Sequence, residues 1–155
     1  MVEIINRSDL KITESLCDTL VQITLWPGQS QTDLPSAPGK IKNGKVRTGP
    51  LTWVVFEGSD APSISDEEGT LTDLGHSRKC YRVEGALAQD VMMRLAPLDF
   101  RDRAFEDGAF KATTAHHMSV WTARDGDAWN IWVGFTFADA FREVLEETAA
   151  QWEGA

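Results

Sequence analysis

Apolar and polar residues alternate through much of this chain, and that period of two predicts strands. Between residues 19 and 26, Val21, Ile23 and Leu25 fall on one face while Gln22 and Thr24 take the other. Pro27 and Gly28 end the run. Residues 29–44, rich in Pro, Ser, Gly and Lys, read as a long loop. A second strand is expected over 45–57, with a β-branched and aromatic centre from Leu51 to Phe56. Gly49-Pro50 lies inside that run and predicts an edge or a bulge. Further strand signals occupy 79–83, 91–95, 110–113, 117–122 and 129–135. Asp125-Gly126 separates the last two and predicts a hairpin, because such a turn needs positive φ.

The chain closes on a different period. Phe137, Phe141, Val144, Leu145, Thr148 and Trp152 recur at helical spacing, while Asp139, Arg142, Glu143, Glu146 and Glu147 take the other faces. A helix is expected over 137–153, with Thr136 and Asp139 spaced as in a capping box. Its aromatic stripe should lie on the sheet.

These patterns predict an α+β, mainly β, fold. It is a seven-stranded curled antiparallel sheet or barrel with one C-terminal amphipathic helix, in a single domain spanning 1–155. Residues 1–15 are polar and irregular and are expected to form a loose arm. The 58–75 segment carries Asp60, Asp66, Glu67, Glu68 and Asp73 with no Lys or Arg, which predicts an acidic mobile loop. Strands followed by one helix resemble the pleckstrin-homology-like fold. Within it, several short motifs resemble the adaptin-ear-binding domain of the NECAP endocytic proteins. They are Glu14-Ser15-Leu16-Cys17, Leu25-Trp26-Pro27, Leu95-Ala96-Pro97-Leu98-Asp99, and Trp132-Val133-Gly134-Phe135 followed by Ala138-Asp139-Ala140-Phe141. The acidic 58–75 insertion and the short turn before the helix depart from that pattern. The resemblance implies a cytoplasmic role at clathrin-coated membranes through adaptor proteins.

Composition narrows the function. At 155 residues and 42% hydrophobic content the chain can bury one sizeable core. No apolar run approaches the roughly 18–20 residues that cross a bilayer. The start, Met1 to Arg7, lacks a basic region and an apolar stretch, so no export leader is expected. Cys17 and Cys80 are accordingly expected as buried thiols. A net charge of −9 argues against binding along nucleic acid, where cations must neutralise phosphates.

Candidate chemistry is sparse. His76, His116 and His117 could suggest zinc, but neighbours in a strand point to opposite faces, so His116 and His117 cannot share an ion, and no metal site is expected. The acidic pairs 66–68 and 146–147 lack the fixed geometry that proton transfer requires. No glycine-rich phosphate loop is present. No catalytic residue and no cofactor are therefore expected, and the chain reads as a non-enzyme. Six tryptophans stand out. Trp26 and Trp132 fall opposite the apolar faces of their strands and are the candidate platform for an extended peptide. Lys40, Lys42, Lys45 and Arg47 form a basic stretch, with Lys45 and Arg47 on one strand face. It resembles the lysine-x-arginine element by which some pleckstrin-homology domains hold phosphoinositide headgroups.

The leading expectation is a cytoplasmic adaptor that binds a short peptide of a protein partner, in clathrin-mediated traffic. A second is recognition of anionic membrane headgroups through residues 40–47. A third is a scaffold subunit of a larger assembly.

Overall fold

The computed structural model describes residues 1–152, and Glu153, the expected end of the terminal helix, lies outside them. Among the described residues, ten strands form two antiparallel sheets. Chain packing divides the protein into one unit of residues 1–16 with those from Arg78 onward, and a second of residues 17–77.

The first unit holds a six-stranded sheet. Its strands are β1 (Val2–Asn6), β2 (Lys11–Leu16), β7 (Arg78–Glu84), β8 (Phe110–Ala115), β9 (Met118–Asp125) and β10 (Ala128–Gly134). They lie in the order β1-β2-β7-β10-β9-β8. One face is apolar by alternation. Ile12, Tyr81, Val83, Trp129, Ile131 and Val133 point into a single core and are at most 2% exposed. Two helices supply the rest of that core. From α1 (Ala88–Leu95) come Ala88, Val91, Met92 and Leu95, and from α2 (Ala138–Ala150) come Ala138, Phe141, Leu145 and Ala149. Phe100 and Phe105 pack edge-on against Trp129, with ring centroids 5.1 and 4.8 Å away.

The second unit holds a four-stranded sheet of β3 (Val21–Leu25), β4 (Lys45–Gly49), β5 (Thr52–Val55) and β6 (Gly69–Asp73), in the order β4-β5-β3-β6. Ile23, Leu25, Leu34, Trp53 and Val55 make its core. Gly69 is required where β6 meets β3, since a Cβ there would sit 2.1 Å from the Thr24 carbonyl oxygen.

A mainly β chain with antiparallel strands, the 125–126 hairpin and a C-terminal amphipathic helix is present as expected. The seven-stranded barrel is not: ten strands in two sheets depart from the pleckstrin-homology-like plan. Several local differences build that change. Residues 1–15 are no loose arm but the β1–β2 hairpin, with Ile12 fully buried. The 45–57 run is two strands: β4 lies at the sheet edge with a register shift between Arg47 and Gly49, as Gly49-Pro50 predicts, and the chain then reverses through Pro50 and Leu51 into β5. The second half of the acidic loop is β6, paired with β3 in unbroken register. The 91–95 run is helix: Ala88, Val91, Met92 and Leu95 recur at i, i+3, i+4, i+7, a period that five alternating residues cannot distinguish from a strand. Ala96, extended at φ −138°, ends that helix before Pro97. His116 and His117, at φ 47° and 69°, are the two-residue turn between β8 and β9 and not strand residues. Among the described residues no helix is long and apolar enough to cross a membrane.

Candidate functional site

The two tryptophans proposed as a platform have different fates. Trp132 is 7% exposed. Alternation does carry it to the sheet face opposite Trp129, but the Phe110 ring lies 6.3 Å away on that face, and Trp121 is its cross-strand partner. Trp132 is thus a packed side chain. Trp26 is 41% exposed, beyond the end of β3, and its indole N–H donates to the Asp66 carbonyl at 2.8 Å. The platform is therefore not a pair.

The basic stretch is not a cluster of free cations either. The Arg47 guanidinium donates to the carbonyls of Ser36 (2.7 Å), Gly49 (3.2 Å) and Pro50, and lies over the Trp53 ring at 5.3 Å. It ties the loop before β4 to the β4–β5 turn, each of its three nitrogens donating to a backbone carbonyl. Lys42 and Lys45 are drawn together by paired backbone hydrogen bonds of 2.9 and 3.0 Å. Lys40 is exposed in the loop.

A cleft of about 370 Å³ opens beside the β9–β10 turn and is lined by Gly85, Gln89, Asp102, Arg124, Asp127 and Trp129. Arg124 dominates it. Its guanidinium donates to Gly126 and Phe105 carbonyls, both at 2.8 Å, and pairs with Asp102 at 2.9 Å. Each of its three nitrogens is engaged, so Arg124 holds the 101–109 segment to the hairpin. Among the described residues no three His, Cys, Asp or Glu side chains gather as ion ligands.

The strongest polar network lies near the start of α2. The buried Tyr81 hydroxyl is 3.1 Å from the Ala138 carbonyl, and Lys79 Nζ donates to Glu14 at 3.1 Å. Burial acts to raise the Glu14 pKa, but hydrogen bonds from Tyr81 and Lys79, and the charges of Lys79 and Arg142, outweigh it and hold the carboxyl below its usual range. Burial and then the Glu14 carboxylate push the Tyr81 phenol up. This arrangement fixes β2, β7 and α2 to one another.

Beside it lies the surface that the sequence pattern missed. Phe135 and Phe137 occupy a 3-10 turn between β10 and α2, and each is 53% exposed. The helical spacing predicts Phe137 in the buried stripe of the helix. The helix instead begins at Ala138 with Phe137 as its N-cap and no side-chain cap, so Thr136 and Asp139 form no capping box and Phe137 is out of phase. Lys79 Nζ lies 5.7 Å from the Phe135 ring centroid. Phe135 and Phe137 thus put two phenyl rings in water within three residues, and aromatic side chains of this kind are enriched at protein interfaces. The signal that could have found them is Gly134, which ends β10 four residues before α2 begins at Ala138.

The sequence matches no protein-family model and no curated protein. Among solved structures, 22 chains match it. One is a chain of the heterotetrameric sarcosine oxidase from Corynebacterium sp. U-96 in complex with pyrrole 2-carboxylate. The TM-score is 0.83 at 20% identity, over 99% of this chain and 90% of that one. At that identity the likeness shows a shared fold. It overturns the expectation of an endocytic adaptor of pleckstrin-homology type: the chain follows, nearly end to end, a polypeptide that belongs to an enzyme complex.

Proposed function

We propose that this protein is a non-catalytic subunit of a multi-subunit oxidoreductase, held to a larger partner through the Phe135–Phe137 turn. The observation that carries the reading is the extent of the likeness. The likeness takes in 99% of this chain and 90% of the other, so it is carried by the fold as a whole and not by one shared motif. A fold can be kept while its function changes, so the surface must support the reading as well. The exposed phenyl pair does so, since water-facing aromatics gain most by burial against a partner. The side chains of the Arg124 cleft and of the Glu14 network are engaged in holding elements together, which suits a subunit whose task is shape.

The test is native isolation. A tagged chain drawn from its own cells should co-elute in fixed stoichiometry with a larger, redox-active subunit. The double variant Phe135→Asp/Phe137→Asp should be released from that complex while melting as the wild type does. An untagged chain that elutes alone, or an isolated chain that turns over an amine or amino acid by itself, would overturn the proposal.

A further inference from the structure

Resting on the subunit reading, we propose that the free edge of β6 receives an extended, basic segment of a partner subunit as an added strand.

The four-stranded sheet has two edges. At one, β4 is bridged to the preceding loop through Pro38 and Arg47. At the other, among the described residues, β6 has β3 on one side only. The register shows which groups are left over. Leu74 N–H donates to Leu20 and Trp26 N–H to Glu68, so the hydrogen-bonded pairs with β3 include Thr72 with Gln22 and Thr70 with Thr24. In an antiparallel ladder the alternate residues turn outward. Leu71 and Asp73 therefore offer their backbone N–H and C=O groups to the open side.

Natural sheets blunt such edges with proline, lysine, a bulge or a covering segment. Gly69–Asp73 contains no proline and no lysine, pairs with β3 without a shift, and is exposed from Thr70 to Asp73. Leu71 is 47% exposed on the strand, and Trp26 is 41% exposed at the same end of the sheet as Gly69. Main-chain groups, an apolar side chain and an indole together make the surface that strand addition uses.

Charge chooses the occupant. Residues 58–75 hold five carboxylates and no Lys or Arg. Asp66, Glu67 and Asp73 are exposed beside the edge. Hydrogen bonds from the Ser65 backbone and hydroxyl, and from Gln31, hold the Glu68 carboxyl below its usual range, so it is ionised as well. A second copy of this chain would place carboxylates against carboxylates. A lysine- or arginine-rich strand places opposite charges across the new ladder.

The probe is a synthetic eight-residue peptide alternating lysine with valine and leucine, compared with its glutamate counterpart. Amide exchange and calorimetry on the full chain are the readouts. Saturating basic peptide should slow exchange at Leu71 and Asp73 by about tenfold or more, because these amides are otherwise unpaired. Leu71→Pro removes the outward N–H and spares the β3 ladder. It should weaken binding about tenfold with the melt unchanged, equivalent to about 1.4 kcal/mol. Asp66→Asn/Glu67→Gln should weaken it further at low salt than at high salt. Unprotected Leu71 and Asp73 amides, equal binding of the glutamate peptide, or a dimer dissolved by Leu71→Pro would each overturn the proposal. A chain that elutes alone, with its edge still protected by the basic peptide, would instead sink the subunit reading.

Discussion

Glu14 is an acid that the fold needs charged. It is 8% exposed on β2, held by Lys79 and near Tyr81, and its pKa is lowered in the folded state. The unfolded chain titrates it near 4.5, the ordinary value. A lowered folded pKa means that its stabilisation is complete above that value and disappears as the pH falls through the folded pKa. Glu14→Gln should cost about 1.5–3 kcal/mol at neutral pH, the net worth of a hydrogen bond to a charged group. The deficit should shrink on acidification, as the wild-type carboxyl becomes neutral like the amide. Denaturant melts from neutral pH down the acid limb would measure the converging curves. Parallel curves would place the acid sensitivity on other carboxylates.

At the scale of elements, the helix α2 is integral to its unit. Phe141 is fully buried, with its ring centroid 5.2 Å from that of Tyr81. Phe141→Ala should cost about 3–5 kcal/mol, from lost burial and the cavity left behind. Glu146→Ala removes only an exposed pair with Arg142 and should cost under about 0.5 kcal/mol. Thermal or chemical melts of the two variants give the comparison, and equal losses would mean that the helix is not seated as described. The Phe141–Leu145–Thr148 face was legible in the sequence because thirteen residues hold several helical periods. So was the β9–β10 hairpin, because Asp125-Gly126 announces its own turn. Short elements were not. Residues 91–95 of α1 read as a strand because Val91, Met93 and Leu95 alternate while Val91, Met92 and Leu95 recur at helical spacing, and so brief a run does not separate the two. The candidate site was scarcely legible. Whether Trp132 or Phe135 meets water depends on what the far side of the sheet packs against, and no local period encodes that. Arg47 looked like a headgroup ligand because carbonyls, its actual partners, belong to every sequence.

Across the whole molecule, the pairing of β2 with β7 joins residues far apart in sequence, such as Leu16 with Lys79. The β9–β10 pairing joins neighbours, such as Ala128 with Asp125. Closing the longer loop costs more chain entropy before any contact repays it. Pulse-labelled exchange during refolding should therefore protect the Thr122–Ile131 region before Ile12 and Val83. Simultaneous protection would show that the sheet forms in one step. The same interruption bears on how the protein is made. A ribosome delivers β2 first and must release all of residues 17–77 before β7 can appear. Until then the nascent β1–β2 hairpin carries Leu10 and Ile12, both fully buried in the finished protein, with nothing to bury them against. The early chain is thus an apolar hairpin in waiting, and the interval before β7 emerges is when a chaperone has most reason to hold it.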